Sequence, residues 1–133
     1  MGTADFQQPC AAGSTRPVVL IVEDEVLIRL LLAEALRNAG YEVLEAADAD
    51  EALSVLQTMP SPDVLVTDVR MPGAMDGLQL ASHVRGMKPT LGLIVTSGHA
   101  PAERAIGLAD AFVPKPYDLG RIVGVVRGLA PTS

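Results

Sequence analysis

The side chains best suited to chemistry are the acidic pair Glu23-Asp24, a third acid at Asp68, the hydroxyl of Ser97 and the ammonium of Lys115. Each ends or closely follows a short apolar run, as Asp68 does in VLVTD. Three carboxylates that come close together repel one another and raise one another's pKa values, so a cation is needed to offset their charge. Mg²⁺ is suited to that role because it prefers a few carboxylates together with water and phosphate oxygens.

Lys115 and the hydroxyl of Ser97 indicate which chemical group such a site would bind. Lys115 would place a positive point charge against a phosphoryl oxygen, and Ser97 would donate a hydrogen bond to another. A carboxylate can accept a phosphoryl group covalently, and that transfer depends mainly on positioning and charge neutralisation. We choose Ser97 over the adjacent Thr96 because the small Gly98 follows it. The prediction requires that these distant residues meet in the fold.

The sequence between these residues alternates between two patterns. Short apolar runs are typical of buried strands, and the stretches between them show helical spacing with capping signals. The predicted strands are residues 18–22, 41–45, 63–67, 91–96 and 111–114. The predicted helices are residues 25–39, 48–58, 76–84, 101–109 and 118–129.

This strict alternation predicts an α/β fold with a parallel five-stranded sheet, right-handed crossovers and helices on both faces. Five such units most often form the doubly wound, flavodoxin-like (βα)5 arrangement with strand order 2-1-3-4-5. That order places the carboxyl ends of strands 1, 3, 4 and 5 side by side, where ligands bind. The acidic pair, Asp68, Ser97 and Lys115 come at those four ends, so we expect one site.

Composition narrows the possible functions. The 133 residues suffice for one domain with a real core, and we divide them into a disordered tail at 1–16, a domain at 17–130 and a C-terminal tail at 131–133. The net charge of −6 argues against nucleic acid or an anionic membrane as the main partner. The single cysteine, Cys10, cannot form an internal disulfide, so we expect a reducing cytoplasm. No run approaches the length of a membrane span, and no signal-peptide pattern opens the chain.

At its chemical residues the chain resembles the receiver domains of two-component response regulators. The similarity rests on Glu23-Asp24, on Asp68 within DVRMPGAMDG, on Ser97-Gly98 and on Lys115-Pro116. These motifs stand in order at the ends of four predicted strands, and the similarity extends from residue 17 to about residue 130. Each motif alone is weak, whereas the four together are specific.

The resemblance implies roles at the acidic site. Asp68 would be phosphorylated by a phosphohistidine on a partner protein. Asp24, Asp68 and the backbone carbonyl of Arg70 would bind Mg²⁺ directly, with Mn²⁺ as a substitute, and Glu23 would hold the ion through water. His99 and the Arg70 side chain would border the mouth of the site. His99 would either influence water access to the phosphoryl group or be an uninvolved surface residue.

The resemblance also implies a switch. Ser97 and Lys115 would bind the phosphoryl oxygens, and Phe112 would follow Ser97, although plain core packing is an equal alternative for Phe112. The Lys115–Pro116 bond is expected to be cis, which X-Pro bonds allow at modest cost. Two departures from the family pattern are the extra Ala74 in the loop after Asp68 and a short segment between Ser97 and Lys115. The second departure shortens the predicted fourth helix, in the region that reads out phosphorylation in this family.

The implied function is that of a stand-alone phosphoacceptor in a His-to-Asp phosphorelay. It is not an enzyme in the conventional sense, since it would phosphorylate itself from a phosphohistidine or a small phosphodonor and then dephosphorylate itself. Its partners would be a sensor histidine kinase or histidine phosphotransferase and a downstream protein target, with no direct DNA binding and no membrane association. A phosphorylation-independent adaptor of the same fold, and an excised receiver domain of a hybrid sensor kinase, remain alternatives.

Two other functions, an aspartyl-phosphate phosphatase and a flavin-binding module, fit the sequence less well. A phosphatase with an aspartyl-phosphate intermediate would carry a second acid at the position of Arg70, and a flavin module would need a phosphate cradle where Glu23-Asp24-Glu25 stands.

On the last helix, Gly120, Gly124 and Gly128 form one stripe. That stripe is either drift on a marginal surface helix or part of an interface, as in a homodimer through the face of the fourth and fifth predicted helices.

Overall fold

The computed structural model describes residues 16–58, 61–70, 73, 75–98 and 107–132. Within those ranges the chain forms five strands and four helices. In chain order they are β1 (Val18–Val22), α1 (Val26–Asn38), β2 (Glu42–Ala46), α2 (Ala49–Thr58), β3 (Val64–Asp68), α3 (Gly77–Met87), β4 (Gly92–Ser97), β5 (Ala111–Pro114) and α4 (Leu119–Leu129).

The strands form one parallel sheet in the order β2-β1-β3-β4-β5, which confirms the predicted topology. Every residue of β1, β3 and β4 is buried, as expected for strands with helices over both faces. The edge strand β2 mixes exposed and buried residues. Strands β2, β3 and β4 each begin and end one residue later than predicted, so Asp68 and Ser97 are the last residues of their strands.

Two apolar layers cover the sheet, because successive strand residues point to opposite faces. On one side Val19 and Ile21 of β1 pack with residues of α1 and α4 such as Leu36 and Ile122. On the other side Leu20 of β1 belongs to a cluster with residues of α2 and α3. The predicted helices on both faces are therefore present, and the core consists mainly of Val, Leu, Ile and Ala.

The four described helices each begin one residue later than predicted. Helix α1 also ends one residue earlier than predicted, and α3 continues to Met87 instead of ending at Val84. Most of the helix predicted at 101–109 lies outside the described residues. Its described end is a turn in which Gly107 has a φ of 81°, so the prediction is wrong for residues 107–109.

The predicted tails fall mostly on residues that are not described. Residues 1–15, including Cys10, and Ser133 lie outside the described ranges, whereas Arg16 and residues 131–132 lie within them. None of the helices in the described ranges is long and apolar enough to cross a bilayer.

Candidate functional site

Three carboxylates meet at the carboxyl edge of the sheet. Glu23 and Asp24 follow β1, Asp68 ends β3, and one oxygen from each lies within 4.8 Å of the others. Glu23 and Asp68 are only 3% and 8% exposed, whereas Asp24 is exposed. The convergence follows from the topology, because β1 and β3 pair directly with Val22 opposite Thr67.

Lys115 completes this cluster from the end of β5. Its Nζ donates hydrogen bonds to Oε1 of Glu23 at 2.8 Å and to Oδ2 of Asp68 at 3.1 Å. Burial by itself would lower the pKa of Lys115, but the two carboxylates outweigh it and the pKa is raised. The ammonium therefore stays charged between its two partners. The Lys115–Pro116 peptide bond is cis.

Glu23 is fixed through both its backbone and its side chain. Its backbone N–H donates to the carbonyl of Ala46 at 3.0 Å, and its Oε2 accepts from the backbone N–H of Glu25 at 3.1 Å. Burial raises the pKa of Glu23, and the hydrogen bonds from Lys115 and Glu25 only partly oppose this effect. The ionised form of Glu23 is therefore costly in this position and would gain from a further cation.

Ser97 lies at the same edge as the last residue of β4. It is buried, and its backbone carbonyl accepts a hydrogen bond from the N–H of Lys115 at 3.0 Å. Thr96 is also buried and lies opposite Asp68 in the ladder between β3 and β4. The structure thus places both hydroxyl residues beside the cluster, and the choice of Ser97 as phosphoryl ligand stays a prediction.

The remaining predicted residues lie farther out or are not described. Phe112 is partly buried and packs against a small cluster of Val69, Leu78 and Val95, next to the site. The exposed Arg70 follows Asp68 by two residues, and His99 lies outside the described residues. The roles of Phe112, Arg70 and His99 stay predictions.

Gly77 is a site residue that the sequence reasoning missed. Its N–H donates to the carbonyl of Val69 at 2.8 Å, and a Cβ atom at this position would lie 1.7 Å from the carbonyl oxygen of Asp68. Only glycine allows the first turn of α3 to approach the end of β3 so closely. A usable signal was its position at the first turn of a helix, directly after the N-cap Asp76, where glycine is a poor helix former.

A mostly apolar pocket of about 570 Å³ adjoins the acidic cluster through Lys115. It is lined by Ile28 and Leu31 of α1 and by the segment from Lys115 to Tyr117, among others. Beside it, the first turns of α1 expose four apolar side chains, namely Val26, Leu27, Leu30 and Leu31. The carboxylates themselves do not line this pocket, so it is a neighbour of the chemical site.

The donor set decides what the site can hold. Carboxylate oxygens are hard ligands, and a cluster that mixes buried and exposed carboxylates leaves an open side for water and a ligand oxygen. Such a set suits Mg²⁺, which keeps several waters and is bound by one or two carboxylates together with phosphate oxygens. The ammonium of Lys115 adds a fixed positive charge for an anionic group that reaches Asp68.

Comparisons with known proteins give a consistent result. A family model described as the response regulator receiver domain matches residues 19–127. The DNA-binding transcriptional regulator NtrC of Salmonella typhimurium is 35% identical over 116 residues, which are 84% of this chain and 24% of NtrC. The sensor kinase CckA of Brucella abortus is 40% identical over 114 residues, which are 82% of this chain and 12% of the kinase.

Solved structures agree with the sequence matches. The receiver domain of NtrX from Brucella abortus is similar with a TM-score of 0.77 at 33% identity, over 86% of this chain and 99% of that domain. The chain thus matches one complete domain in the structural comparison. It spans less than a quarter of the length of NtrC, so the DNA binding named for NtrC is a property of a much longer protein.

Proposed function

The chain belongs to the receiver domain family of response regulators, and we propose on this premise that Asp68 accepts a phosphoryl group in a His-to-Asp phosphorelay. The observation that carries the proposal is the convergence of Glu23, Asp24, Asp68 and Lys115 at one sheet edge. The parallel sheet brings these strand ends together in any case, but a loop-capping role for Asp68 would not account for two further acids and a lysine at those ends.

The proposed step is a phosphoryl transfer between two side chains. A carboxylate oxygen of Asp68 forms a bond to phosphorus while the bond from phosphorus to the donor's histidine nitrogen breaks. The electron pair of the broken bond stays on the imidazole, and an acyl phosphate forms on Asp68. Lys115, which bonds Asp68 at rest, would then pair with a phosphoryl oxygen, and Ser97 would donate to another.

The three carboxylates fit a divalent cation. Asp24, Asp68 and the backbone carbonyl of Arg70 would hold Mg²⁺, or Mn²⁺ in its place, and Glu23 would contribute through water. The ion supplies positive charge that offsets the carboxylates and the phosphoryl oxygens. Glu23 and Lys115 keep the rest of the site fixed, so that transfer proceeds mainly through positioning and charge neutralisation.

The partner is proposed to be a protein with a phosphorylated histidine, a sensor kinase or a histidine phosphotransferase. The exposed apolar side chains at the start of α1 and the adjoining pocket would offer it a surface beside Asp68. Phosphorylation would alter a second protein contact through Ser97 and Phe112. The match to part of the sensor kinase CckA favours one further possibility, namely that the chain acts as the receiver unit of a hybrid kinase.

A covalent adduct with a small phosphodonor tests the proposal. The protein is incubated with acetyl phosphate and Mg²⁺, and the intact mass is compared among the wild type, Asp68→Asn and Asp50→Asn, which changes an exposed acid on α2. We expect the phosphoryl adduct in the wild type and in Asp50→Asn, and its absence in Asp68→Asn or with a chelator. An adduct that persists in Asp68→Asn would falsify the assignment of Asp68.

A further inference from the structure

Arg29 links helix α1 to the acidic loop Glu23–Glu25 and to strand β2. It lies in the first turn of α1, and its Nη1 donates to the backbone carbonyl of Glu23 at 2.8 Å. Its Nε donates to Oε1 of Glu45, on the edge strand β2, at 3.3 Å. The Arg29 side chain is 17% exposed, so most of it is packed between the helix and the two strand ends.

The position of Arg29 is electrostatically unfavourable for a helix taken alone. The first turn of a helix carries the positive end of its dipole, which favours acids and disfavours arginine. The ion pair with Glu45 and the hydrogen bond to the Glu23 carbonyl offset that cost. A guanidinium suits this task because its planar fork can serve two acceptors at once.

The Glu23 carbonyl is part of the peptide that joins the two acidic residues. Since that peptide is planar, fixing its oxygen also fixes the direction of the Asp24 N–H and limits where the Asp24 side chain can go. The backbone N–H of Glu23 already donates a hydrogen bond to the carbonyl of Ala46. Arg29 therefore fixes the loop at the carbonyl of Glu23, directly before the exposed Asp24.

We infer that Arg29, oriented by Glu45, is a positioning residue that arranges the loop Glu23–Glu25 so that Asp24 and Glu23 are preplaced for a divalent cation. The part of this inference that concerns the cation rests on the proposed function. The part that concerns the order of the loop is a property of the metal-free chain.

Arg37 offers a matched control. Its Nη2 donates to the other oxygen of Glu45 at 3.2 Å and to the backbone carbonyl of Val43 at 3.3 Å. Arg29→Met and Arg37→Met therefore each remove one ion pair to Glu45 and one contact to a backbone carbonyl. Only Arg29→Met removes a contact to the acidic loop, so general destabilisation affects both variants and loss of positioning affects one.

Two measurements are made on both variants and the wild type, with thermal unfolding recorded for each. The first is Mn²⁺ affinity, read from the paramagnetic resonance of the free ion. We expect about a tenfold weaker affinity in Arg29→Met, the size typical for loss of a group that orients metal ligands, and an unchanged affinity in Arg37→Met. Equal affinities in the two variants would overturn the inference.

The second measurement is amide hydrogen exchange at Glu25 without metal, because that N–H bonds the Glu23 side chain. Faster exchange in Arg29→Met than in Arg37→Met supports the inference, and equal exchange contradicts it. If the wild type binds no metal, the proposed function fails while this measurement still decides the positioning role.

If Arg29→Met does not fold, Arg29→Lys replaces it. A metal affinity weaker than that of the wild type is then expected, because one ammonium replaces the guanidinium fork, and wild-type affinity overturns the inference.

Discussion

The Nζ atom of Lys115 lies 2.8 Å from Oε1 of Glu23, although 92 positions separate the two residues in the chain. The contact ties the segment after β5 to the loop after β1. Because Lys115 also bonds Asp68, two carboxylates share the ammonium that a phosphoryl group would need. Phosphorylation would therefore have to redistribute these contacts, which gives the site a defined resting arrangement.

The first prediction concerns the buried charge of Glu23. Glu23→Gln should raise the free energy of unfolding of the metal-free protein at pH 7, because burial disfavours the ionised form of Glu23 more than its partners stabilise it, and because Lys115 keeps Asp68 as an ion-pair partner. Urea unfolding in the presence of a chelator measures the difference. A variant that is less stable than the wild type at pH 7 would contradict the prediction.

The pH dependence of the same variant has a fixed sign. Burial raises the pKa of Glu23 above its ordinary value of 4.5. The neutral carboxyl of Glu23 therefore contributes its full stability to the fold below that pH, and this contribution is lost as the pH rises through the folded-state pKa. The advantage of Glu23→Gln should grow over that interval and disappear below about pH 4.5. Under the proposed function, Mg²⁺ binds the folded state alone, so added Mg²⁺ should stabilise the wild type more than the variant.

The second prediction concerns the close approach of α3 to β3. Gly77→Ala should lower the free energy of unfolding by about 3 kcal/mol and reduce phosphorylation, because the new methyl group would overlap the Asp68 carbonyl. Gly124→Ala is the control, since apart from its chain neighbours and the backbone of α4 no heavy atom of the described residues lies within 4 Å of its added Cβ. That exposed change should stabilise α4 by about 1 kcal/mol. Equal effects of the two substitutions on stability would show that Gly77 is not sterically required.

The third prediction concerns the link between α3 and the segment before β5. The Arg85 guanidinium donates to the carbonyls of Pro89, Leu91 and Leu108 and to Oδ2 of Asp110, at 2.7 to 3.3 Å. Arg85→Ala should lower the free energy of unfolding by about 2 kcal/mol, because the buried Leu91 carbonyl loses a charged donor. Chemical denaturation of Arg85→Ala and of the control Arg121→Ala, which changes an exposed arginine on α4, measures both free energies of unfolding. Similar losses in the two variants would contradict the prediction.

The fourth prediction concerns Tyr41, whose hydroxyl donates to the carbonyl of Ala130 at 2.7 Å while the residue is fully buried. Tyr41→Phe should cost about 1 kcal/mol at pH 7 through the lost hydrogen bond. Burial raises the pKa of Tyr41 above its ordinary value of 10.0, so its neutral form stabilises the fold below that pH and the contribution is lost as pH rises further. The difference between wild type and variant, followed by denaturation from pH 7 to 11, should therefore shrink above pH 10. A constant difference would oppose this account.

The sequence predicted the topology and the convergence of the site for the same reason. Apolar runs fix which residues form buried strands, and a parallel sheet brings their carboxyl ends together, so Asp24, Asp68 and Lys115 could be placed without coordinates. The strand ends were less predictable. Asp68 and Ser97 extend their strands because the backbone ladder continues, with Asp68 opposite Thr96, although their polar side chains look like loop residues.

The contacts that refine the site could not be predicted from local patterns. Arg29 reaches a carbonyl in the preceding loop and an acid on another strand, and Gly77 is required by a backbone oxygen that belongs to a different element. Both depend on how closely two elements approach, which the periodicity of either element does not report.

The central claim is tested most directly by locating the phosphoryl group. The protein is treated with acetyl phosphate and Mg²⁺, the acyl phosphate is reduced with borohydride, which converts a phosphorylated aspartate to homoserine, and the modified peptide is sequenced by mass spectrometry. Our account predicts homoserine in place of Asp68 alone, and only when Mg²⁺ is present. Modification of Glu23 or Asp24 instead, or labelling that is independent of the metal, would contradict it.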